Sequence, residues 1–71
     1  MIALDVRGLP PPEPFEQIML ALETLIKDDV LRVLIHREPY PLYEMLRESG
    51  YRHQTTALPD GNFSIEIGRA S

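Results

Sequence analysis

The sequence predicts an α+β two-layer sandwich in the order β-α-β-α-β-β, with a four-stranded mixed sheet and two helices on one face. Three observations carry that expectation. Apolar residues alternate with period 2 around residues 2–6, 30–35 and 63–67. They recur at helical spacing over 15–26 and 42–46. Proline or glycine punctuates most of the junctions between these runs. At 71 residues the chain has room for a single domain, residues 1–71, with one small core.

In the first strand Ile2, Leu4 and Val6 alternate with Ala3 and Asp5, as on a strand with one buried face. Arg7 and Gly8 end it, and Gly8 suits a turn that needs positive φ. Pro10, Pro11 and Pro12 then hold an extended segment, because each restricts the residue before it. A proline is tolerated in a helix's first turn, where its missing amide hydrogen would have had no intrahelical partner. The first helix is therefore placed to start around Pro12 to Pro14. Phe15, Ile18, Met19, Leu22, Leu25 and Ile26 share one face, and Glu16, Glu23 and Lys27 take the other, which predicts an amphipathic helix of about four turns. Lys27, Asp28 and Asp29 form a polar connection. Val30 to Ile35 reads as a central strand, with Leu31, Val33 and Ile35 on one face and Arg32, Leu34 and His36 on the other.

The second helix is expected to take Pro39 as its first residue and to bury Leu42, Met45 and Leu46. Gly50 reads as its left-handed stop, with Tyr51 packing back on Leu46. Tyr51 to Leu58 is a more polar extended run. Pro59-Asp60-Gly61 supplies a turn, so a hairpin follows, with Phe63, Ile65 and Ile67 alternating with Ser64 and Glu66. Arg69 to Ser71 is expected to fray. Right-handed crossovers place both helices on one face of the sheet. The opposite face then carries Ala3, Asp5, Arg32, Leu34, His36, Ser64 and Glu66, a polar set.

Composition excludes several classes of function. The formal charge is −4, and the seven basic residues are scattered rather than clustered, so nucleic acid is not an expected partner. No run approaches the roughly 20 apolar residues that span a bilayer, and the start lacks a secretory pattern, so no membrane association is expected and the expected location is cytoplasmic. There is no cysteine, hence no disulfide and no thiolate metal site. The hydroxyls of Ser49, Ser64, Thr24, Thr55 and Thr56 stand in no nucleophile motif, so no catalytic residue and no enzyme activity are expected.

The junction Leu4-Asp5-Val6-Arg7-Gly8-Leu9-Pro10-Pro11-Pro12-Glu13-Pro14 resembles the signature of the TusA-like (SirA-like) sulfur-carrier superfamily. That signature, Leu-Asp-x-Arg-Gly-x-x-Cys-Pro-x-Pro, places a persulfide-carrying cysteine at the amino end of the first helix. Leu4, Asp5, Arg7, Gly8, Pro12 and Pro14 match it, and Pro11 stands at the cysteine position. The resemblance extends over nearly the whole chain. Together with Arg37-Glu38-Pro39-Tyr40-Pro41-Leu42-Tyr43 it resembles an uncharacterised bacterial branch that lacks the cysteine. It implies the TusA-like fold without its relay chemistry. A thiolate is the sulfur acceptor, and a proline ring offers no such atom. Pro10, Pro11, Pro12 and Pro14 also remove four amide donors from the segment that would face an anion.

Each candidate site has two readings. Asp5, Arg7 and Glu13 form either a polar cluster that binds a partner or an ion pair that fixes the turn, and the second is the more economical. Pro11 to Pro14 spells Pro-x-x-Pro, a ligand pattern for polyproline-reading domains, but rigid entry into a helix explains it better. His36 and His53 match no zinc or iron spacing, and no metal ligand or cofactor is assigned. Arg37, Tyr40 and Tyr43 are residue types enriched where partners dock. Their segment should lie at the same end of the sheet as the proline turn, since both follow carboxyl ends of parallel strands.

The preferred expectation is a non-catalytic module that docks a protein partner through an edge made of Asp5, Arg7, Pro11, Glu13, Arg37 and Tyr40. The alternative is an accessory protein that binds a small ligand or metal at the same edge, using His36. Neither the partner nor the oligomeric state is legible.

Overall fold

The computed structural model describes residues 1–70. Its elements are β1 (Ile2–Asp5), α1 (Glu13–Glu23), β2 (Leu31–Ile35), α2 (Tyr40–Glu48), β3 (Tyr51–Ala57) and β4 (Phe63–Arg69). The strands form one sheet in the spatial order β1-β2-β4-β3. β1 pairs parallel with β2, Ile2 opposite Leu31 and Leu4 opposite Val33. β4 runs antiparallel to both its neighbours, with Val33 opposite Ile65 on one side and Thr55 opposite Ile65 on the other. The order and architecture are those the sequence predicts, a four-stranded mixed sheet with two helices on one face.

The core lies between sheet and helices. Leu31 and Val33 of β2 and Ile65 and Ile67 of β4 are fully buried, as their alternation requires, and Ile18, Leu22, Leu42 and Leu46 of the helices close over them. Val6 extends the parallel pairing past the end of β1, donating its amide to the Leu34 carbonyl at 2.9 Å, and is itself buried. On the opposite face Arg32 and Glu66 sit across from each other and form an ion pair of 2.7 Å. No helix is long and apolar enough to cross a membrane among the described residues.

Four boundaries and one stripe differ from the sequence reading. α1 has 11 residues, about three turns rather than four. Its last turn tightens: the Thr24 amide and hydroxyl both donate to the Ala21 carbonyl, and the Leu25 amide donates to Leu22. Leu25 then drops into the core at 1% exposure, and the Arg69 guanidinium donates to its carbonyl at 3.2 and 3.3 Å. Just past the helix end, the Leu25 carbonyl is met by a side chain 44 positions away. For the same reason Arg69 is not part of a frayed end but the last residue of β4, and the Ala70 amide reaches the Gly50 carbonyl; Ser71 lies outside the described residues.

α2 begins one residue later than expected, with Pro39 as its cap and Pro41 inside the first turn. β2 likewise begins at Leu31 rather than Val30, whose amide donates to the Asp29 side chain. On α1 the buried stripe runs through Pro14, Ile18 and Leu22, while Phe15 and Met19 flank it exposed and Ile26 lies beyond the helix, also exposed. Gly50 does adopt φ +84°, and the Ser49 and Gly50 amides close the end of α2 on Met45 and Arg47.

Candidate functional site

Two chain reversals at one end of the sheet build the site. The first follows β1. Arg7 turns back on Asp5, donating its backbone amide at 3.0 Å and two guanidinium hydrogen bonds at 2.9 and 2.8 Å. These bonds hold the Asp5 carboxyl at about 2, below its ordinary range. Gly8 at φ +81° then redirects the chain into the prolines, where the Pro11–Pro12 peptide bond is cis. Pro12 caps α1 without a side-chain hydrogen bond, and Pro14 is buried in the first turn. The segment is rigid, and its prolines leave few amides pointing outward.

The second reversal follows β2. Ile35 is the last strand residue, and His36, Arg37 and Glu38 lead to Pro39 and α2. Glu38 is fully engaged: one carboxylate oxygen accepts from the Tyr40 hydroxyl and the other from the Tyr43 hydroxyl, both at 3.0 Å. The Tyr43 hydroxyl also meets the Thr55 hydroxyl at 2.6 Å, tying the start of α2 to β3. Glu38 raises the Tyr40 hydroxyl's pKa by accepting its hydrogen, whereas the rise at Tyr43 comes first from burial. The Tyr43 ring stacks on His53 at 4.3 Å and receives the Tyr40 ring edge-on at 6.1 Å.

The two reversals meet around a groove of about 360 Å³. Leu9, Pro11 and Pro12 form one wall, and Pro14, Phe15 and Ile18 of α1 continue it. The opposite wall runs from Ile35 through His36 and Arg37 to Pro41 and Leu42 of α2. The lining is mainly apolar, with its polar side chains confined to the 36–38 segment. His36 Nδ1 is buried with no hydrogen-bond partner. Arg37 is exposed and makes no salt bridge among the described residues, whereas Arg7 and Arg32 each hold a carboxylate on the chain.

Of the edge expected from sequence, Pro11 and Arg37 come together in this groove. Tyr40, 68% exposed, stands beside it on a shallower facet shared with Tyr43, Arg47 and His53. Asp5 and Arg7 satisfy each other and lie outside the lining, which is the turn-fixing reading of that pair. Glu13, exposed in the first turn of α1, joins neither the pair nor the groove. His36 and His53 are not brought together, because β2 and β3 flank β4 on opposite sides. No group of three or more metal-ligating side chains assembles among the described residues. Phe15, Pro39, Pro41 and Leu42 line the groove and were not expected there. The alternation along β2 had placed His36 on the opposite face with Arg32 and Leu34; the strand ends at Ile35, so its parity no longer fixes that side chain, and His36 lines the groove instead.

The family described as "Uncharacterized conserved protein (DUF2249)" matches residues 3–69. A SirA-like protein from Desulfitobacterium hafniense, known as a crystal structure, is similar at 26% identity, with 94% of this chain and 95% of that chain covered and a TM-score of 0.82. No curated protein matches with significance.

Proposed function

The chain belongs to the DUF2249 family of uncharacterized conserved proteins on a SirA-like fold, and from that premise we propose that it is a non-catalytic module that docks a protein partner in the groove between the two proline-rich helix starts. The observation that carries this reading is the meeting of both helix entries, Pro11 to Phe15 and Pro39 to Leu42, around one mainly apolar groove. A rigid apolar concavity binds with little ordering cost, since the prolines have no rotamer freedom to lose. The absence of cysteine from the sequence supports a role that uses shape rather than sulfur transfer. Arg37 at the rim and the exposed Tyr40 beside it are residue types that anchor protein contacts.

The test is capture from native extract with the wild type, a Phe15→Asp variant and an Arg37→Ala, Tyr40→Ala double variant, followed by binding of the identified protein in purified form. A partner lost with Phe15→Asp is the expected result. A partner retained by both variants refutes the groove as its site. The groove's volume also falls within the range of small-molecule sites, which favours a second reading, an accessory protein that binds a small apolar ligand. Retention of a small molecule by the purified protein, seen in mass spectra under native conditions and displaced by no protein, selects that reading.

A further inference from the structure

We infer that the groove recognises the carboxyl terminus of a partner chain whose last side chain is apolar. The inference rests on the docking reading above and names the chemistry of the docked segment.

The polar inventory of the groove points to an anion. Its polar side chains are His36, Arg37 and Glu38. Glu38 keeps its charge, but each of its oxygens is turned to a tyrosine hydroxyl and away from a further donor. Arg37 is exposed and, like Lys27, Arg47, Arg52 and Arg69, has no carboxylate partner among the described residues, but of these cations it is the one that lines the groove. The imidazole's tautomer follows from burial. Nδ1 is buried and has no acceptor nearby, so a hydrogen placed there would be a stranded donor. The neutral ring therefore carries its hydrogen on Nε2, which makes no hydrogen bond to the chain among the described residues. His36 and Arg37 thus both offer N–H donors at the rim of an otherwise apolar groove, and neither is matched by an acceptor from the chain.

The occupant complementary to this set has an apolar body with one carboxylate close to it. A terminal apolar residue carries both on the same α-carbon: its side chain fits among Leu9, Pro12, Phe15 and Leu42, and its carboxylate accepts from Arg37 and His36 Nε2. Arginine presents a fork that a carboxylate fills with both oxygens, which a neutral carboxamide cannot do. An internal segment has no such terminal anion and is not selected.

The probes are N-acetyl-Gly-Gly-Phe and N-acetyl-Gly-Gly-Leu, each as the free acid and as the carboxamide, titrated into the amide-labelled protein by NMR. The free acids are expected to shift the resonances of residues 9–18 and 35–42 and to bind at least tenfold more tightly than the carboxamides. Arg37→Ala is expected to abolish that preference. His36→Gln, whose amide nitrogen stands near the place of Nε2, is expected to keep it, and His36→Asn, whose amide ends near the place of Nδ1, to lose it. Imidazole nitrogen shifts of the free protein are expected to report the Nε2–H tautomer. Equal binding of acid and carboxamide in the groove overturns the carboxylate inference and leaves groove docking standing. Shifts that map elsewhere, or no binding by either form, overturn the inference, and the capture experiment then decides docking separately.

Discussion

Leu42 and Leu46 lie one helical turn apart on α2, both fully buried, yet truncating them should not cost the same. Leu42 also lines the groove, so its loss deepens a concavity already open to solvent. Leu46 is not part of that lining and faces the closed core, so its loss leaves a sealed void. Truncating a buried leucine to alanine costs about 2.7–5 kcal/mol, rising by about 24 cal/mol for each Å³ of void that remains. Leu42→Ala is therefore expected near the lower limit, about 3 kcal/mol, and Leu46→Ala about 4–5 kcal/mol. A 71-residue domain has a total stability of about 4–11 kcal/mol, so both changes are large fractions of the whole. Urea unfolding followed by far-ultraviolet circular dichroism gives both values from the shift of midpoint at constant slope. Equal costs, or a larger cost at Leu42, would refute the argument that the groove reaches the core at that residue.

Three further outcomes are expected. The Asp5 carboxyl, held at about 2 by the Arg7 hydrogen bonds, lends stability that is complete above its ordinary value of 3.8 and is lost as pH falls toward 2. Carboxyl-carbon NMR should show that late titration, and Arg7→Ala, which removes the guanidinium bonds but keeps the backbone amide, should raise it part of the way toward the ordinary range. Tyr43→Phe removes the hydroxyl that joins Glu38 to Thr55 and should cost about 1 kcal/mol, since Glu38 keeps its Tyr40 bond; an unchanged denaturation midpoint would mean the link carries nothing. Gly50→Ala meets no atom within 4 Å, so its cost is the left-handed backbone alone, about 1–2 kcal/mol less a few tenths recovered from the unfolded chain; a stabilised variant would contradict the φ of +84°.

What the sequence disclosed was whatever depends on neighbours along the chain. The alternation of Leu31, Val33 and Ile35, the stop at Gly50 and the turn before Phe63 are local, and each lies where its pattern puts it. The shared end of the two helix starts followed from parallel pairing of β1 and β2, and the structure has Pro11 and Arg37 on one groove. Features fixed by distant contacts were not legible. The burial of Leu25 past the end of α1 comes with a contact from Arg69, and the width of the buried stripe depends on what covers Phe15 and Met19, which helical spacing does not state. The hydrogen bonds of Glu38 were not legible, because they depend on two tyrosine rotamers and a threonine on another strand. Asp5 and Arg7 were recognised as a pair, but only their geometry separates them from the groove.

The strand order has a consequence for how the chain is made. β4, the last strand to be synthesised, sits between β2 and β3 and hydrogen-bonds to both. Until residues 63–69 leave the ribosome, β3 has no place in the sheet and the Leu25 carbonyl has no guanidinium to meet it. Assembly of the sheet is thus deferred until β4 is made, and a nascent chain stalled before Phe63 should present its apolar strands to chaperones and proteases instead of a finished domain.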